Sequence, residues 1–599
     1  MKGKIKMTGS NNFICYDGEN KGNKYFLLGN SFEYIYNKKG LSSRKCLEFL
    51  TRKLKKKRII FNLHYDLQFW IKDFKDEKIL ELMNGQRVAF YNYELQYFHK
   101  KMLIIKKGNS LFKIYDILSF FNQSLLNTIE RLQIKLNEEE SNILIKGKKE
   151  RINFDNMTLE EIILYNKTEC IITEKIAGKI YSLMLESFYR DKKGKLKNLV
   201  ITNFFGASAI ASKLLKDYEV SKLKPFEKFQ DIFESSYYGG RFEILKIGVF
   251  KNVFKYDINS AYPSILKDLT EIKEFKKVRK PKTINDKGIY LIYYKQFYPS
   301  DFICPFPLRH NTGRIFYTGE ISGYYFGCEI NAFLNSGVNK ENYELKIISG
   351  IVPIEGKKIF ENKQGYNLIE DMFEQRNRYK QKKDLKHYLY KIALNSLYGK
   401  LAQKVGSKSF THFYYASYIT AKVRSILIDE CYKVDYKKII CFATDCIISE
   451  VPLKVKTGEN LGEWEFDFIE KAEILMSGFY RLQKENKKYY FGLRGFNVKE
   501  KQFDKILFEV KKKGFSFIKV NQFISHKLAI RQYKAYKNKR LLFVPVKKIV
   551  DIHKGNFKRE YFWSDIINSK KSNFHNFEQI ESEKMKNLNI VPEGFFIDY

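Results

Sequence analysis

The segment KIALNSLYG, Lys391 to Gly399, is bracketed by two apolar runs that each carry an aspartate: KYDINSAYPSIL around Asp257 and IICFATDCIIS around Asp445. No other feature constrains the fold as tightly. KNVFKYD reads as a strand ending at Asp257, followed by a turn and by Pro263 near the start of a helix. IICFATDCIISEV alternates like two strands joined at Thr444 and Asp445, a hairpin that projects Asp445 at its tip. Between them a helix is predicted from about Leu385 to Ala402, with Lys391, Asn395 and Tyr398 at i, i+4 and i+7 on one face. A carboxylate at a strand end can face a metal while the backbone after it turns away.

A chain of 599 residues is too long for one hydrophobic core; at about 100–200 residues per domain it divides into roughly three to five modules. Lys and Arg number 108 against 68 Asp and Glu, a net charge of +40 that points to a polyanionic partner, nucleic acid first. Solubility alone does not require so lopsided a balance. The 8 cysteines form no CxxC pair and there are only 8 histidines, so neither a zinc ribbon nor a disulfide framework is supported. A reducing, cytoplasmic compartment fits. The opening MKGKIKMTGSNNF has no apolar core of a signal peptide, and no uncharged apolar run reaches the roughly 18 residues of a membrane span.

Toward the N-terminus, Phe13 to Tyr16 reads as a buried strand, and Asp17 and Glu19 follow it, two apart and therefore on the same side. A second strand, Arg58 to Asn62, leads into FNLHYD, where Asn62 and Asp66 stand four apart; the RKLKKKR run before it reads as a solvated face. EEIILYNKTECIITEKIAGKIYSLML has helical periodicity, and its Tyr165 and Glu169 share one helix face. Each pair is common by chance, and their order carries the information. D-x-E, N-xxx-D and Y-xxx-acid in succession resemble the three motifs of a DEDD-type 3′–5′ proofreading exonuclease domain. The chemistry that resemblance implies is phosphodiester hydrolysis on two Mg²⁺ ions held by Asp17, Glu19, Asp66 and Glu169. It also implies that Tyr165 orients the attacking water and that Asn62 touches the single-stranded 3′ end. The family has Asp where this chain has Glu169.

The later motifs resemble the core of a family B DNA polymerase. KIALNSLYG matches KxxxNSxYG at five positions and is the most specific signal in the chain. DINSAYP is similar to DxxSLYP, with Ala261 for Leu, and TDC to the end of DTDS, with Ala443 for the first Asp and Cys446 for Ser. The resemblance implies that Asp257 and Asp445 hold two further Mg²⁺ ions, that the Ile258 carbonyl binds one of them, and that Mn²⁺ can substitute. Tyr262 would lie beneath the nucleotide sugar, Lys391 would neutralise the triphosphate, Asn395 would face the nucleotide and Tyr398 would pack on the nascent base pair. Tyr237, Tyr238, Gly239 and Gly240 resemble the YxGG segment, which contacts template and balances synthesis against editing. Lys487, Lys488 and Tyr489 resemble the KxY segment that holds the primer terminus.

These resemblances imply a multidomain α/β and α+β chain: an N-terminal ribonuclease-H-like exonuclease domain (1–195), then a right-hand polymerase. Its parts are palm (196–270 and 418–505), an insertion (271–365), fingers (366–403), a short second insertion (404–417), and thumb with a C-terminal extension (506–599). The long first insertion is similar to the terminal-protein-binding subdomain of protein-primed members, found in small tailed phages and linear plasmids. The implied partners are primer-template DNA, dNTPs and a terminal protein, with no membrane and one copy of the chain. The short segment KVGSKSFTH implies weak strand displacement. Two other readings compete: a degenerate polymerase acting mainly as a nuclease, prompted by Ala443 and Cys446, and a non-catalytic basic nucleic-acid-binding protein.

Overall fold

A computed structural model describes residues 12–21, 24–151, 154, 156–297, 303–309, 313, 315–403, 408–476, 478–485, 488–493, 496, 498, 500–532, 543–551, 559–561 and 572–574. The chain begins with β1 (Phe13–Lys21), β2 (Lys24–Asn30), β3 (Tyr34–Tyr36), α1 (Ser43–Leu50), β4 (Lys57–Ile60), α2 (Leu63–Trp70) and α3 (Asp76–Met83). β5 (Arg87–Phe90), β6 (Tyr93–Phe98), β7 (Met102–Lys107) and β8 (Ser110–Asp116) complete a sheet of order β3-β2-β1-β4-β8-β7-β6-β5. β1, β4 and β8 run parallel at its centre, and β2 and β3 fold back antiparallel, the ribonuclease-H-like arrangement. Phe13 to Tyr16 are all buried because helices cover both faces of the sheet. β1 does not stop at Tyr16: it runs on through Asp17 and Glu19, because pairing with β2 continues as far as Lys21 and Lys24. The two acids are thus held on a rigid strand rather than in the loop after it.

α4 (Leu125–Arg131), α5 (Glu138–Glu150) and the long α6 (Leu159–Leu185) follow. α6 starts at a capping box between Thr158 and Glu161 and buries Tyr165, Cys170, Ile172 and Ile176 against the β1 side of the sheet. α1 to α3 cover the opposite face. The basic run is solvated from Arg52 to Lys55, but Arg58 is buried, its guanidinium over the Phe112 ring.

The hairpin β9 (Phe188–Arg190) and β10 (Leu196–Asn198), with α7 (Ala207–Asp217) and α8 (Gln230–Ser235), leads to β11 (Arg241–Ile244), β12 (Gly248–Ile258) and α9 (Ala261–Leu266). Next come β13 (Thr270–Arg279), β14 (Ile289–Gln296), β15 (Pro307–Arg309), β16 (Ile315–Tyr317), β17 (Glu320–Phe326), α10 (Gly327–Leu334) and β18 (Tyr343–Lys358). Four of these strands form a separate antiparallel sheet, β13-β18-β14-β17. Two helices, α11 (Leu368–Gln381) and α12 (Lys386–Leu401), pack against each other and are followed by α13 (Phe413–Tyr432). β19 (Ile439–Thr444), β20 (Cys446–Ser449), β21 (Trp464–Met476), β22 (Phe479–Gln483) and β23 (Tyr489–Leu493) return to β11 and β12. The resulting sheet has the order β11-β19-β20-β12-β21-β22-β23, so strands from two distant stretches of chain meet around β12. α14 (Glu500–Lys513), β24 (Phe515–Phe523), α15 (His526–Gln532) and β25 (Phe543–Asp551) follow, and the antiparallel pair β26 (Arg559–Tyr561) and β27 (Ser572–Phe574) closes the described chain. Ile524 and Ala529 are buried in the N-terminal core, which ties the two ends of the molecule together. Among the described residues no helix is long and apolar enough to cross a membrane.

Candidate active sites

The N-terminal acids converge from three elements. β1 carries Asp17 and Glu19, α2 carries Asp66, and α6 carries Tyr165 and Glu169. Glu19 and Asp66 are buried, and loss of solvent raises both carboxyls to about 8, with Glu169 adding to each shift. Asp17 is pushed well above its ordinary value by burial, then by Glu169, Glu19 and Asp66. Every one of these carboxylates is engaged by a protein donor. Asn166 donates to Asp17 at 3.4 Å and to Glu19 at 3.3 Å. Tyr25 donates to Asp66 at 2.8 Å and itself accepts from the Trp70 indole at 3.0 Å. Lys148, on α5, pairs with Glu169 at 2.5 Å. Among the described residues, no three His, Cys, Asp or Glu side chains are arranged so that they could hold a metal ion as they stand.

Tyr165 is buried, its hydroxyl raised by burial and by the Glu169 carboxylate. Its ring lies flat on α5 because residue 147 is glycine: a Cβ there would stand 2.0 Å from the ring. Asn62 precedes α2 with φ 76°. Its strained backbone is held by Asp116, whose carboxylate accepts from the N–H groups of Asn62, Leu63 and Leu118 at 3.1, 3.0 and 3.0 Å. Burial lifts Asp116 to about 6 despite those three bonds.

In the second sheet, Asp257 on β12 pairs in register with Cys446 of β20 on one side and Glu465 of β21 on the other. Thr444, at φ 69°, turns the β19–β20 hairpin, and the Asp445 carbonyl accepts from the Ile258 N–H at 2.9 Å. That bond fastens the hairpin to the end of β12. Burial, then the neighbouring Asp257, lifts Asp445 to about 7. Ala443 and Cys446 both pack on the apolar core under the sheet. Lys255, two residues before Asp257 and on the same side of β12, pairs with Asp257 at 3.3 Å and with Asp467 at 3.4 Å.

α12 supplies the facing wall. Lys391 and Asn395 are exposed on it, and Tyr398 is half-buried. The Tyr398 ring packs on Tyr262 with centroids 4.5 Å apart and the planes tilted by 37°, and its hydroxyl meets that of Tyr237 at 2.8 Å. Although Lys391 is open to solvent, the protein around it removes part of its hydration, which with Arg376, Arg131 and Lys380 pulls it below the ordinary lysine range. Arg376 donates to Ser260 at 2.6 Å, which aims this cationic group at the end of β12. Gly239 has φ 77°, and a Cβ on Gly240 would stand 2.8 Å from both the Tyr262 hydroxyl and a Thr444 methyl. The Gly-Gly pair thus lets one backbone turn and another approach this wall. Buried Arg424 donates to the Gly239 carbonyl and pairs with Glu329.

One expectation falls elsewhere. Tyr489 lies on edge strand β23 under the Arg481 guanidinium, three strands from β12 and so about 14 Å away across the sheet. Lys487 lies outside the described residues. The sequence reading missed Lys148, Asn166, Asp116, Arg376 and Lys255. Only Asp116 carried a signal, an aspartate closing an apolar run in the same manner as Asp257.

Together, a ribonuclease-H-like domain with an acidic cluster and a palm-like sheet with two carboxylates under a cationic helix are the parts of a right-hand nucleic-acid polymerase. Residues 18–447 match the family model for DNA polymerase type B, organellar and viral. The chain belongs to that family and is a DNA-directed DNA polymerase; family B polymerases depend on divalent metal. It is similar to the DNA polymerase of Acidianus bottle-shaped virus (isolate Italy/Pozzuoli), at 26% identity over 533 residues, covering 82% of this chain and 76% of that one. In fold it is similar to phi29 DNA polymerase complexed with primer-template DNA and incoming nucleotide substrates, with a TM-score of 0.63 at 16% identity over 90% of this chain and 99% of that one. The orthorhombic crystal form of phi29 DNA polymerase gives a TM-score of 0.64 at the same identity and coverage.

Proposed function

We propose that the chain is a proofreading, protein-primed replicase of a viral or plasmid genome, with synthesis in the second sheet and 3′–5′ hydrolysis in the N-terminal domain. One observation carries the reading: Asp257 near the end of β12 and Asp445 at the turn of the β19–β20 hairpin fastened to it are brought together, repelling each other, beneath the Lys391–Arg376 cations and the Tyr262–Tyr398 ring pair. Asp257, Asp445 and the Ile258 carbonyl are hard oxygen donors suited to Mg²⁺, with Mn²⁺ as substitute. Two ions bound there would activate the primer 3′-hydroxyl and neutralise the departing pyrophosphate. Lys391 and Arg376 hold the triphosphate, Asn395 faces the nucleotide, Tyr262 underlies the sugar, Tyr398 packs on the new base pair, and Tyr237, Gly239 and Gly240 form the template-side wall. Tyr489, on β23, lies along the primer duplex, away from the reacting atoms, and Lys487 is assigned to grip the primer strand as part of the same segment.

In the N-terminal domain, Asp17, Glu19, Asp66 and Glu169 supply four carboxylates for two more ions, whose chemistry is activation of water. Tyr165 orients that water and Asn62 holds the 3′ end. The subdomain limits read from the sequence stand as part of this proposal: editing to 195, palm 196–270 and 418–505, insertion 271–365, fingers 366–403, second insertion 404–417 and thumb from 506. The separate four-stranded sheet within 271–365 supports a docking module for a terminal protein. A single chain holds both sites, so a monomer suffices, and its eight free, buried cysteines suit a reducing cytoplasm. The nuclease-only alternative loses its motive, because Ala443 and Cys446 pack on the core, Cys446 pairs in register with Asp257, and the Ile258–Asp445 backbone bond still holds Asp445 at the end of β12.

Extension of a primed template with Mg²⁺, run with and without dNTPs, tests both activities in one gel. Asp445→Asn should abolish extension, and if it extends as well as wild type the synthesis site is wrong. Asp17→Ala should abolish degradation; undiminished loss of single-stranded DNA removes the editing claim.

A further inference from the structure

Lys255 is a cation inside an acidic site. Its ammonium lies between Asp257 at 3.3 Å and Asp467 at 3.4 Å, and Asp467 has a second partner in Lys484. The strand register makes this arrangement rigid: Lys255 stands opposite Asp467 on β21, and Asp257 opposite Glu465 one pleat further on. Lys255 is only 23% exposed, so it has little water to retreat into if Asp257 is taken from it. Asp467, already in contact, is the place it can retreat to.

We propose that Lys255 is a resident cation of the synthesis site, competing with divalent ions for Asp257 and withdrawing onto Asp467 when they bind. The inference rests on the reading of Asp257 as a metal ligand. With the ions absent, the lysine neutralises an otherwise repelling Asp257–Asp445 pair and keeps the sheet closed. With them present, one positive charge remains within a few ångströms of the ions and lowers their affinity. Lys255 therefore sets the divalent concentration at which the site loads. It acts through Asp257 and is a positioning residue.

Changing the lysine and changing Asp467 give opposite signs. Lys255→Met removes the competitor and should tighten metal binding about tenfold, a modest fraction of a bare charge–charge interaction at this separation. Asp467→Asn removes the retreat, leaves Lys255 on Asp257 and should weaken binding several-fold. Lys255→Arg keeps the charge and should stay within about twofold of wild type.

The test is titration of Mn²⁺ into the full chain, free ion followed by electron paramagnetic resonance, in an Asp17→Ala/Asp66→Ala background so that only palm ions count. Melting in EDTA accompanies it: Lys255→Met should melt lower than wild type without metal and gain more on adding Mn²⁺. Unchanged or weaker Mn²⁺ binding in Lys255→Met overturns the inference, as does tighter binding in Asp467→Asn. Asp257→Asn reports separately on the underlying reading. If it binds Mn²⁺ as wild type does, Asp257 is not a ligand, whatever Lys255 does.

Discussion

Replacing Asp66 by Asn should stabilise the metal-free protein, and the gain should grow with pH. Asp66 is 2% exposed and its folded pKa is about 8 against 3.8 for the free side chain. A folded pKa above the unfolded one means that the stability is fully present below about pH 4 and is lost as pH rises toward 8, because the unfolded chain ionises first. Three pH units at 1.36 kcal/mol each set a ceiling of about 4 kcal/mol at pH 7. Sharing of protons with Glu19 and Asp17 and relaxation of the cluster reduce it to roughly 1–2 kcal/mol. Asn cannot ionise but still accepts the Tyr25 hydroxyl through its amide oxygen, so the variant keeps the bond and loses the penalty. Absolute melting temperatures would mislead, because His64 and His99, whose pKa values are lowered to about 3 and 4 by partial desolvation, run the other way. Their stability is present above about pH 6.5 and lost as pH falls. The measurement is therefore the difference in melting temperature between Asp66→Asn and wild type, in EDTA, at pH 5, 6, 7 and 8. Saturating Mg²⁺ should reverse the sign at pH 8, since wild type gains a ligand that the variant lacks. A gap that stays flat or narrows with pH in EDTA would refute the argument.

Lys148→Met should reduce degradation of single-stranded DNA at least tenfold and leave primer extension unchanged, because the lysine's partner in the editing cluster is Glu169. Equal degradation by the variant would show the pair to be structural only. Lys391→Ala and Arg376→Ala should each raise KM for dNTP about tenfold or more with a smaller change in kcat, read by steady-state primer extension. Arg424→Met leaves Glu329, 3% exposed, without its partner and should destabilise the protein by about 3–5 kcal/mol in chemical denaturation, with recovery on adding Glu329→Leu.

The order of chemical motifs was legible in the sequence, since strand ends, helix faces and the spacing of KxxxNSxYG are local properties that one stretch of chain determines. Asp17, Glu19, Asp66, Glu169, Asp257, Asp445, Lys391, Asn395 and Tyr398 could all be named from such stretches. What the tertiary structure alone decided are the partners of these groups, which come from elsewhere in the chain. Lys148 reaches Glu169 from another helix, Asp116 braces Asn62 from another strand, and Arg376 reaches Ser260 from α11. Lys255 is a neighbour of Asp257 in sequence, yet its meaning depends on Asp467 across a strand pairing that no local pattern encodes. Tyr489 shows the converse: its string was legible, but sheet order put it three strands from the acids. Local sequence sets backbone conformation and donor type, whereas register and strand order set which charges share a low-dielectric space, and that sharing controls their protonation and chemistry.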